Sequence, residues 1–155
     1  MTFTTVEIIQ AMLAPGIMIS ACGLLILGMN NKYSLIVNRI RLLDDEKRKH
    51  KKENPADEDN NQRIFSINLQ TKKLNIRLRH VRNAVFSYSL AVGLYIVASL
   101  FIGLRIVYDT DALSNVAIIF FLLGMISVLC GIVFAATEVM KGYKIVQIEL
   151  EGEKN

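Results

Sequence analysis

Residues 112–137 read ALSNVAIIFFLLGMISVLCGIVFAAT, twenty-six residues without a charge. An α-helix rises about 1.5 Å per residue, and roughly 20 apolar residues cross a hydrocarbon layer of about 30 Å, so this stretch is long enough to span a bilayer. Two further stretches qualify: 11–29 (AMLAPGIMISACGLLILGM) and 83–104 (NAVFSYSLAVGLYIVASLFIGL), of 19 and 22 uncharged residues. Burying three such helices in a soluble core would need a large surrounding protein, and the polar remainder of a 155-residue chain is too short for that. The reading is an all-α integral membrane protein, a single membrane domain over 1–155, with spans at about 8–29, 83–106 and 112–138.

Composition agrees. Hydrophobic residues make up 52% of the chain, and two Cys and two Pro cannot supply a disulfide scaffold or a collagen-like repeat. Ile19-Ser20-Ala21-Cys22 looks like a lipoprotein cleavage box, but no Lys or Arg precedes Lys32 and the residues after Cys22 stay apolar. Cys22 and Cys130 therefore read as thiols inside the membrane.

Between the first two spans, residues 30–82 hold fourteen Lys/Arg against seven Asp/Glu, while 105–111 hold only Arg105 against Asp109 and Asp111. Cytoplasmic segments retain basic residues. The expected arrangement in a cell (inner) membrane is an external N-terminus, a cytoplasmic segment 30–82, a short external turn and a cytoplasmic C-terminal tail, 139–155. This asymmetry accounts for the basic balance without nucleic acid.

The cytoplasmic segment has internal periodicity. Tyr33, Ile36, Val37, Ile40 and Leu43 recur at three- and four-residue spacing, as one face of a helix continuing from the first span. A charged run, 44–49, and a turn-forming run, 54–60, follow. Ile64, Ile67, Thr71, Leu74, Leu78, Val81 and Val85 then form a heptad seam leading into the second span. The pattern predicts a helical hairpin formed by extensions of the first two spans. Phe65, Leu69 and Ile76 lie beside the seam; packing within the chain and contact with neighbouring subunits both remain open for them.

Lipid provides no hydrophobic drive for helix association, so small residues mark helix-packing faces. Gly16 and Ser20 form such a pair on the first span, where Pro15 should also kink the helix. On the third span Gly124, Ser127, Gly131 and Ala135 share an arc with Glu138. A carboxylate there either pairs structurally, with Lys141 one turn on, or handles a proton or cation. Glu138, Thr137 and Ser127 are the pore or ion-handling candidates. Arg77, Arg79 and Arg82 sit where lipid headgroups are expected, as topological anchors or as an anionic-lipid site. No motif for a phosphate loop, a catalytic triad or a metal site occurs, so no enzyme, cofactor or metal is expected.

The run Pro15-Gly16-Ile17-Met18-Ile19-Ser20-Ala21-Cys22-Gly23-Leu24-Leu25, then Asn30-Asn31-Lys32-Tyr33 and Asn38-Arg39-Ile40-Arg41-Leu42-Leu43, resembles a family of small bacterial three-span membrane proteins classed as a domain of unknown function. The Gly124 helix ending in Thr137-Glu138-Val139 is similar to that family's last span. The resemblance implies the fold and topology and brings no activity. The topology is also similar to proton-conducting stator subunits that energise outer-membrane transport, which form rings with transmembrane Thr and Glu facing the pore. Two functions follow as expectations. The first is a homo-oligomer of cyclic symmetry, in contact with membrane lipids, that conducts a cation or proton past Glu138. The alternative is a non-conducting scaffold or regulatory subunit whose basic hairpin binds anionic lipid or a cytoplasmic partner.

Overall fold

The computed structural model describes residues 5–53, 58–108 and 111–152, which form three long helices: α1 (Thr5–Glu53), α2 (Glu58–Tyr108) and α3 (Asp111–Gly152). There is no strand among the described residues. Each helix contains an 18-residue apolar window, with mean hydropathies of 2.0, 2.0 and 2.9, long and apolar enough to cross a membrane. Only 17–28% of each window is buried within the chain, which leaves most of its apolar surface for lipid or for other helices. This is a multi-pass membrane protein with three spans. Of the turn expected at 54–60, residues 58–60 are already helical as the start of α2, whereas residues 54–57 and the side chains of Asp109, Asp111 and Lys141 lie outside the described residues.

Pro15 does not interrupt α1, which runs through it as one helix. The proline lacks the amide hydrogen that would otherwise bond four residues back. The segment expected as a tail from 139 is helical as far as Gly152, continuing α3 directly from its span.

Along each helix the buried positions recur every seven residues. On α1 they are Pro15, Cys22, Met29, Ile36 and Leu43. On α2, Val81, Tyr88 and Tyr95 form one line and Ala84, Ala91 and Ala98 another, all 0–1% exposed. On α3 they are Ala117, Gly124, Gly131 and Glu138, with Ser127 buried beside that line. A strict seven-residue repeat keeps a seam facing its partner only if the helices supercoil left-handedly.

The chain divides into two compact units. The first comprises Met1–Met29 and Asn83–Phe134. Cys22, Ala91 and Tyr95 form its core, with Met18, Ile19, Val92, Phe121 and Val128 packed around them. Tyr95 and Phe121 meet as tilted rings 5.4 Å apart, and Phe101 stacks on Phe120 at 5.7 Å.

The second unit comprises Asn30–Arg82 and Ala135–Asn155. Here α1 and α2 fold back on each other as the sequence predicts. Arg63 Nη2 donates to Glu46 Oε1 at 2.6 Å, Lys47 Nζ to Asn68 Oδ1 at 2.6 Å, and Asn60 Nδ2 to the His50 carbonyl at 2.6 Å. Between the helices lie Ile36, Leu43, Ile67 and Val81, with Thr71, Leu74 and Leu78 half-buried. Tyr33 departs from its expected place: it is 41% exposed, because the buried line of α1 passes through Ile36 and Leu43 and leaves it to one side. Phe65, Leu69 and Ile76 are also exposed, so none of the described residues covers them.

Candidate functional site

Glu138 is the one buried carboxylate among the described residues, with its side chain 3% exposed. Two cations hold it. Lys32 on α1 donates to Oε2 at 3.1 Å, and Arg77 on α2 donates to Oε1 through Nη2 at 2.7 Å and through Nε at 3.3 Å. One side chain from each helix thus meets at one point. Burying a carboxylate costs several kcal/mol unless opposite charge and hydrogen bonds replace its water, and here both oxygens are engaged. One negative charge against two positive leaves the cluster with an excess of one positive charge.

The Arg77 guanidinium is held by Glu138, whereas Arg79 and Arg82 are exposed. The carboxylate finds two partners on other helices, Lys32 and Arg77. Nothing local in the sequence links Lys32 to a carboxylate 106 residues further on.

Thr137, beside the carboxylate, is half-buried. Ser127 is nearly buried, and its hydroxyl donates to the Ser87 carbonyl at 2.8 Å, joining α3 to α2. That bond uses the hydroxyl as a strut between helices.

The small residues divide into two groups. A Cβ on Gly124 would stand 2.7 Å from Cε1 of Tyr95, and one on Gly131 would stand 2.5 Å from Cε1 of Tyr88. Each ring fills the hole a glycine leaves, and the seven-residue step between the glycines matches that between the tyrosines. Ala135 is half-buried. Gly16 behaves differently: nothing lies within 4 Å of where its Cβ would be, and Ser20 is exposed, its hydroxyl donating to the Gly16 carbonyl at 3.2 Å. Among the described residues, the expected packing face on the first span therefore meets no other helix.

At the other end of the α2 and α3 spans, Arg105 Nη1 donates to Ser114 Oγ at 3.0 Å. These two residues border a cleft of about 250 Å³ whose remaining walls include Ala11, Ala14, Pro15 and Ala117. Among the described residues no three His, Cys, Asp or Glu side chains gather in a way that could hold a metal ion.

A family model described as a protein of unknown function, DUF2721, matches residues 12–148. The chain belongs to this family. The match covers the first span from residue 12, the second and third spans, the hairpin and the Glu138 cluster. No curated protein and no solved structure matches the chain.

Proposed function

We propose that this DUF2721 protein is a non-conducting membrane scaffold or regulatory subunit. It acts through its basic hairpin, residues 30–82, which faces the cytoplasm and binds anionic lipid or an acidic partner. The observation that carries this reading is the state of Glu138. A carboxylate that selects cations must offer its oxygens to the ion, and both oxygens of Glu138 already accept hydrogen bonds from Lys32 and Arg77. The surplus positive charge of the cluster repels a cation further. An ion-conducting assembly would require that bridge to open.

The test is flux together with binding. Proteoliposomes of the wild type and of Glu138→Gln should both carry protons and monovalent cations no faster than empty liposomes. The wild type should also retain anionic lipid through purification. Flux that depends on Glu138 would overturn the reading.

A second observation supports self-association. Phe65, Leu69 and Ile76 are 47–69% exposed on the hairpin, and the Gly16–Ser20 face is open. Large apolar side chains left exposed on one helix face suit an interaction with another chain. We therefore propose a homo-oligomer, with cyclic symmetry because copies in one bilayer share an orientation. Native mass spectrometry should find more than one copy, and Phe65→Ser with Leu69→Ser should lower the number.

A further inference from the structure

The hairpin carries a groove of about 600 Å³ between α1 and α2 that the Glu138 cluster does not use. Its walls include Lys47 from α1 and Asn68, Thr71, Lys72, Asn75 and Arg79 from α2, with His80 beside them. Asp44 is the single carboxylate in the lining. Three fixed positive charges against one negative give the groove an excess of two. Elsewhere in this unit Lys32, Arg63 and Arg77 are held by carboxylates, whereas Lys47, Lys72 and Arg79 have none within 4 Å among the described residues.

The hydrogen-bonding groups point to the same kind of ligand. Asn68 accepts from Lys47 through Oδ1, so its amide nitrogen is left to donate. Thr71 Oγ1 is buried and makes no hydrogen bond, although a helical Thr can bond back to the carbonyl four residues earlier. The wall therefore offers an ammonium, a guanidinium, amide hydrogens and an unused hydroxyl: a set of donors with little to accept. Phosphate oxygens are the natural complement, being acceptors that carry charge. The volume falls within the range of about 300–1,000 Å³ typical of small-molecule sites, so there is room for more than a bare phosphate.

We infer that this groove binds a phosphomonoester-bearing ligand, either a lipid headgroup or a soluble phosphate compound. The inference rests on the proposed role of the basic hairpin and locates that role at named residues.

The full-length protein in nanodiscs tests it. One set of discs contains phosphatidylcholine alone and is titrated with glycerol 3-phosphate; a second is doped with phosphatidic acid, and a third with the phosphodiester lipid phosphatidylglycerol. Binding of glycerol 3-phosphate in neutral discs identifies a soluble source, and preference for phosphatidic acid over phosphatidylglycerol identifies a lipid source. Lys72→Gln with Arg79→Gln should weaken binding about 25-fold, fivefold for each basic residue lost. Arg48→Gln with Lys49→Gln, an equal loss of charge outside the groove, should weaken it less than about twofold. Thr71→Val, which changes no charge, should also weaken binding. Equal weakening by the two charge pairs would overturn the groove and leave the hairpin reading standing. If the wild type ignores both anionic lipids and co-purifies with no acidic partner, the hairpin reading itself fails.

Discussion

The ring of Tyr95 occupies the space that a side chain at Gly124 would need. Tyr88 does the same at Gly131, and in both places a methyl group would collide with ring carbons at 2.5–2.7 Å. Gly124→Ala and Gly131→Ala should each destabilise the fold by about 1–3 kcal/mol, the usual cost of overpacking, despite alanine's better helix propensity. Gly23→Ala, where nothing lies within 4 Å, should be neutral or slightly stabilising. Helical signal followed through an SDS titration in mixed micelles would separate the two classes.

The Tyr95 hydroxyl is buried and has no hydrogen-bond partner. An unmet polar group away from water costs about 1–3 kcal/mol. Tyr95→Phe keeps the ring that fills the Gly124 hole and removes the orphan, so it should leave stability unchanged or raise it by about 1 kcal/mol. Tyr95→Ala, measured in the same titration, should lose about 3 kcal/mol or more by emptying the hole.

Glu138→Gln should cost about 2–3 kcal/mol, somewhat less than the loss of a fully buried partner, because Arg77 and Lys32 are 26% and 42% exposed and keep some water. The variant leaves two cations facing each other. Adding Arg77→Gln should recover part of the loss, so the double variant should be more stable than the sum of the single changes predicts. A double-mutant cycle on unfolding free energies measures this coupling.

On the hairpin, the hydrogen bond from Arg63 holds Glu46 below the usual carboxylate range. A depressed folded-state value means that the pair stabilises the hairpin above the unfolded carboxylate's pKa and that the benefit fades as pH falls through the folded value. Arg63→Gln should therefore lower the thermal midpoint at pH 7, and the gap from wild type should close below about pH 4. Both side chains reach solvent, so added salt should also narrow the gap.

Much of the fold could be read directly because lipid imposes a simple rule: about twenty residues without a charge, three times over. The hairpin was legible from the 3-4 spacing of Ile64 through Val85. Tyr33 falls outside because the three- and four-residue spacing from Tyr33 to Leu43 describes a face broader than the buried line, which keeps to sevens through Ile36 and Leu43. The Glu138 cluster was harder. Its partners lie 61 and 106 residues away, and local spacing carries no information about side chains that meet across helices. The tyrosine–glycine fit did leave a trace, since Tyr88 and Tyr95 share the seven-residue interval of Gly124 and Gly131. Neither pair means anything until the helices are known to be antiparallel neighbours.

Chain order gives the Glu138 bridge a further meaning. Lys32 and Arg77 emerge from the ribosome well before the carboxylate that will neutralise one of them. In the proposed orientation both cations would count toward retention on the cytoplasmic side while the first two helices insert. Only when the third helix arrives can the latch close. In that orientation the two residues would serve first as an address and afterwards as a joint, and a chain cut before Glu138 would keep the address while leaving the joint unmade.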